Sequence, residues 1–128
     1  MNHMEKYLDM TKEQFNAFIA LPIDKPFQML NLLKFRKGLD EKGLTGEQNY
    51  NEYSLAAFQF LQKAKAKILY YGVVQLTLIG PELEWDKVLI IEYPSKHDFL
   101  SMITAEDYPA KLRKAALLDS RFILCLAS

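Results

Sequence analysis

The chain is 128 residues long and 50% apolar, and its 16 basic residues balance its 16 acidic ones. That length and composition describe one compact domain with a hydrophobic core and exclude the disordered class. The neutral balance disfavours nucleic acid and anionic membrane as partners, and no stretch is apolar enough to span a bilayer.

A single cysteine, Cys125, excludes an intrachain disulfide and a cysteine-based zinc site. His3 and His97 are too few for a histidine-rich metal centre, so neither a metal nor a cofactor is expected. The start, MNHMEKYLDM, lacks the apolar run of a signal peptide, and a cytoplasmic protein is the expectation.

In chain order, Thr11 and Gln14 have capping-box spacing, and Phe15, Phe18 and Ile19 follow at helical spacing. A short leading helix is expected there, in an extension covering residues 1–26. Pro22 and Pro26 bracket its exit. The stretch Phe27 to Phe35 reads as a first strand, and Gly38, Gly43 and Gly46 mark a loop. A longer helix from about Glu47 to Ala66 carries Tyr50, Tyr53, Ala57, Phe60, Leu61 and Ala64 on one face. ILYYGVVQLTLIG, residues 68–80, is β-branched and aromatic and reads as a second strand. GPELEWD turns the chain into a third strand, KVLIIEY, antiparallel to the second. Ser95 and Asp98 start a helix through Ile103, and Thr104 begins a second helical piece kinked by Pro109. Asp119 and Ser120 cap or turn the chain before the last strand, RFILCLA.

Apart from the leading helix, the order is strand, helix, strand, strand, helix, strand. Two split βαβ units make an α+β, ferredoxin-like domain over residues 27–128, with a four-stranded antiparallel sheet and helices on one face. QMLNLL, VLIIEY and FILCLA run apolar on both faces, where a sheet wet on one side would alternate. The helices cover one face, so a partner's sheet is expected on the other, giving a homodimeric α+β barrel.

The combination of MLNLLKF (29–35), YNEY (50–53), WDKVLIIEYPS (85–95), FLSMI (99–103) and DYPAKLRKAALLDSR (107–121) resembles the domain of unknown function family 1330, in the subgroup with the Asn-Leu-Leu strand. That resemblance implies a dimeric α+β barrel and no particular reaction. Similarly built barrels include cofactor-free monooxygenases, lactone isomerases, polyketide cyclases and haem proteins, and fold alone does not choose among them.

Asn31 is the anomaly in the first strand, an amide among Met29, Leu33 and Phe35. Leaving it unpaired costs about 1–3 kcal/mol, so it has either a structural hydrogen bond or a ligand to orient. The other candidates are Tyr50 and Tyr53 on the long helix, Tyr71 on the second strand, Glu92 on the third and Arg113 near the end of the last helix. The tyrosines are equally packing residues with polar tips. Glu92 shares a strand face with Val88 and Ile90, as a proton carrier or a rim ion pair. Arg113 either clamps a carboxylate or enolate or forms a salt bridge with Asp119 or a surface carboxylate.

No nucleophile elbow, phosphate loop or dinucleotide fingerprint is present. The leading reading is a protein that binds a small organic molecule inside the dimeric barrel. The alternatives are a cofactor-independent monooxygenase or isomerase acting on a carbonyl compound, and an interaction module with a filled barrel.

Overall fold

A computed structural model describes residues 7–128. His3 and most of the opening segment lie outside the described residues. Helix α1 (Lys12–Ala20) starts on the expected capping box: the Thr11 hydroxyl accepts from the Gln14 N–H, and Gln14 Oε1 accepts from the Thr11 N–H. Strand β1 (Phe27–Phe35) follows. Helix α2 (Gly46–Lys63) opens on a second capping box, Thr45 with Gln48, so Gly46 begins this helix rather than ending the loop before it. Strand β2 (Lys67–Val73), strand β3 (Lys87–Tyr93), helix α3 (Lys96–Ile103), helix α4 (Ala110–Ala116) and strand β4 (Leu117–Cys125) complete the chain.

The sheet order is β2-β3-β1-β4, with every neighbouring pair antiparallel. This is the α+β, ferredoxin-like arrangement that the element order implies. Burial alternates along β1, with Phe27, Met29, Asn31 and Leu33 inward, and along β3, with Lys87, Leu89, Ile91 and Tyr93 inward. The inward residues pack under the helices. Leu30, Leu32, Val88 and Ile90 occupy the opposite face and are half-buried in the single chain.

Three boundaries differ from the sequence expectation. Strand β2 stops at Val73, because its partner β3 begins at Lys87; beyond that, the Val74 N–H donates once to the Asp86 carbonyl. Leu76, Leu78 and Ile79 then stand exposed in the connection. Strand β4 begins at Leu117, so Asp119 and Ser120 are strand residues opposite Lys34 and Leu33, not a turn. Helix α4 begins after Pro109, which has no N–H to continue a helix from Thr104.

The core forms two clusters. Phe27, Met29, Ile91, Tyr93, Phe60 and Phe99 belong to one, and Leu33, Tyr50, Tyr53, Ala57, Ala116 and Leu117 to the other. Tyr108 packs against both. Asn31, between Met29 and Leu33 on the inward face of β1, belongs to neither.

Candidate functional site

Between the sheet and the helices lies a cavity of about 1210 Å³ that opens partly to solvent. Its walls include Met29 and Asn31 of β1, Tyr50 and Tyr53 of α2, Tyr71 of β2, Leu89, Ile91 and Tyr93 of β3, Arg113 of α4, and Ser120 and Phe122 of β4. Tyr7, Leu8, Gln14 and Phe15 contribute as well, so the chain ahead of β1 is part of the wall. The cavity thus belongs to one protomer's helix side, not to the space between two sheets where the sequence reading puts it. Side-chain alternation is the reason: the face of β1 that carries Asn31 is the one under the helices.

Five of the six candidate residues converge here. Asn31 is buried, and its side chain makes one hydrogen bond among the described residues: Nδ2 donates to the Met29 carbonyl at 3.3 Å. Tyr50 and Tyr53 follow from the three-residue spacing on α2, with ring centroids 5.3 Å apart. The Tyr53 hydroxyl meets that of Tyr108 in a short hydrogen bond. Tyr71 lies at the sheet edge, half-exposed, and its hydroxyl accepts from Lys87 Nζ at 2.7 Å. Burial works against the charge of Lys87, but Tyr71 and Glu47 outweigh it and raise the pKa. The Lys87 ammonium also pairs with Glu47 at 3.2 Å and stands 4.9 Å above the Tyr71 ring.

Arg113 does not pair with Asp119. That carboxylate accepts instead from Arg121 Nη1 at 2.8 Å and from the Tyr7 N–H at 2.8 Å. Arg113 stands 5.9 Å over the Phe122 ring, and its Nη2 is buried without a hydrogen-bond partner.

Glu92 is the candidate that the structure places elsewhere. Between inward Ile91 and Tyr93, it faces the other side of the sheet and accepts from Gln28 Nε2 at 2.9 Å. Asp86 anchors its turn by accepting from the Phe35 N–H at 2.8 Å. His97 is exposed in the first turn of α3.

The sequence reading missed Tyr93 and Tyr108. Tyr93 had a signal, being two and four residues beyond Ile91 and Leu89 on the inward face of β3. Tyr108 had none, because it sits in the irregular segment before Pro109. Burial pushes the pKa of Tyr50, Tyr53, Tyr93 and Tyr108 upward, and the Arg113 charge opposes that rise without overcoming it. At neutral pH the four hydroxyls are therefore protonated and able to donate.

Four antiparallel strands under one helical layer, enclosing a cavity with an amide, tyrosines and a guanidinium, define an α+β protein of ferredoxin-like architecture. The chain belongs to the family of a Rhodopseudomonas palustris protein of unknown function. The crystal structure of that protein aligns over 94% of this chain and 96% of that one, at 37% identity and a TM-score of 0.86. The methylated form of the same protein aligns over 98% and 97%, at 34% identity and a TM-score of 0.87. A Mesorhizobium loti dabb family protein with a ferredoxin-like fold covers 82% of this chain and 99% of its own at 10% identity and a TM-score of 0.49, too remote to carry an argument. No family model and no curated protein matches.

Proposed function

We propose that this protein binds a small, mostly apolar organic molecule in the cavity between sheet and helices, and that it works as a homodimer of the dimeric α+β barrel type. The resemblance to the domain of unknown function family 1330 is in keeping with that assembly. The observation that carries the binding reading is the division of the core at Asn31. A helix-on-sheet domain normally fills this layer to the density of an organic crystal. Here members of both clusters border a cavity of about 1210 Å³, larger than the roughly 300–1,000 Å³ of ordinary ligand pockets, walled by apolar side chains with a few polar groups.

Asn31 and Tyr53 are the proposed orienting groups, with Tyr50 beside them and Tyr71 as a side wall. The residues ahead of Phe27 act as a wall of this site appended to the barrel domain. The lone thiol of Cys125 suits a reducing compartment such as the cytoplasm. Should turnover accompany binding, the protonated tyrosines would serve as donors and not as bases.

Native mass spectrometry of the purified chain, followed by denaturing extraction, tests the reading. The expected result is two chains carrying a releasable small molecule, which Asn31→Leu weakens while leaving the fold intact. An Asn31→Leu protein that keeps the same molecule with undiminished affinity would remove Asn31 from the site.

A further inference from the structure

The charged side chains around the cavity are unequally paired. Among the described residues, four side chains carry charge on its lining: Asp9, Arg113, Lys114 and Arg121. Asp9 pairs with Lys114 at 3.2 Å, and Arg121 pairs with Asp119 at 2.8 Å. Three further acids of the described residues are engaged elsewhere. Glu47 pairs with Lys87, Asp86 pairs with Lys34, and Glu92 faces the far side of the sheet. One positive charge, that of Arg113, is left without a carboxylate among the described residues.

We infer that the occupant is an apolar monocarboxylate, its carboxylate held by Arg113 and its hydrocarbon body lying along Phe122 and the inward face of the sheet. This rests on the binding reading above and narrows it to a ligand class. The central observation is Nη2 of Arg113, buried and without a hydrogen-bond partner. A guanidinium presents five N–H groups in a planar fork, and a carboxylate is the small group that fills two of them at once. Arg113 is half-buried as a residue, but leaving a buried N–H group of a guanidinium unpaired is costly, and natural interiors avoid it unless a partner arrives.

Three lesser explanations fall short. The Phe122 ring, 5.9 Å below the guanidinium, interacts with its face, and the Tyr50 hydroxyl, a hydrogen-bond partner of Arg113, still leaves Nη2 unmet. A phenolate cannot balance the charge at neutral pH, because burial keeps Tyr50 and its neighbours protonated. Ordered water would satisfy the hydrogen bonds without neutralising the charge. The cavity's body is apolar: Phe122 stacks on Phe99 with centroids 5.9 Å apart, and Leu89 and Ile91 lie across the sheet. One anionic end and an apolar remainder is the complementary shape.

The test is calorimetric titration of the full chain with two matched pairs, octanoate with octanamide and 4-phenylbutyrate with 4-phenylbutyramide. At least one acid should bind about tenfold or more tightly than its amide. Arg113→Gln should abolish that preference, and Arg113→Lys, which keeps the charge but not the fork, should retain part of it. Circular dichroism establishes that each variant is folded, and Arg113→Lys carries the test if Arg113→Gln is not. Acid and amide binding equally well would overturn the inference and leave the cavity reading standing, as would a preference unchanged in both variants. Failure of all four compounds to bind would count against the cavity reading as well.

Discussion

Gly46 shows how tightly the first turn of α2 is set against the sheet. A Cβ there would lie 2.6 Å from the Arg36 carbonyl oxygen and 2.8 Å from that of Ala116, both backbone atoms with little freedom to retreat. Gly46→Ala should therefore destabilise the fold by about 1–3 kcal/mol, read as a lowered urea midpoint with an unchanged slope. The buried tyrosines make a second prediction at this scale. Their pKa values in the folded state are raised by burial, so on alkaline titration the unfolded chain gives up its phenolic protons first, from about pH 10. The stability they confer is complete below that pH and is lost as pH rises through the folded-state values. Phenolate absorbance from these four should appear together with the loss of far-ultraviolet dichroism. Ionisation of all four in a chain that stays folded would contradict their burial.

At the scale of the elements, α1 is fastened by one side chain more than by its own length. Lys96, at the start of α3, donates to the carbonyls of Phe18, Ile19 and Leu21 at 3.2, 2.6 and 2.6 Å, capping the C-terminus of α1 where a cation is favoured. Phe18 packs edge-on against Phe27 and Phe99. Lys96→Met keeps most of the stem and removes the donors, and it should cost about 1–2 kcal/mol, with faster amide exchange confined to α1. Unchanged exchange there would show the ring contacts alone to be sufficient. This contact was not legible in the sequence, because it joins residues 75 to 78 positions apart. The capping box at Thr11 was legible because it is local, and the strand-helix-strand order because it rests on periodicity. The end of β2 was not, since a strand lasts only as far as its partner, and nothing in VVQLTLIG says where β3 begins. Asn31 was visible as an anomaly, but which face of the sheet it occupies depends on where the helices pack.

At the scale of the whole molecule, the helix-free face of the sheet remains to be covered. Leu30, Leu32, Val88 and Ile90 are half-buried there, Ile123 is 43% exposed and Tyr70 is 55% exposed. Such a patch on the two central strands and their neighbours suits a self-complementary contact across a two-fold axis, with about 800 Å² from each copy needed for a stable pair. Ile90 lies opposite both Leu30 and Tyr70, at the middle of the face. A glutamate there costs a single chain little, because the position is only half-buried. In a symmetric pair it would place two carboxylates near one another in an apolar contact, a penalty of several kcal/mol, or roughly a thousandfold in the dissociation constant. Sedimentation velocity should therefore find two chains for the natural protein at micromolar concentration and one folded chain for Ile90→Glu. The cavity, which lies on the other face, should persist in that monomer and still take up its ligand. A natural protein that sediments as one chain would leave the apolar face without its partner and remove the barrel from the proposed assembly, while binding on the helix side would stand or fall separately.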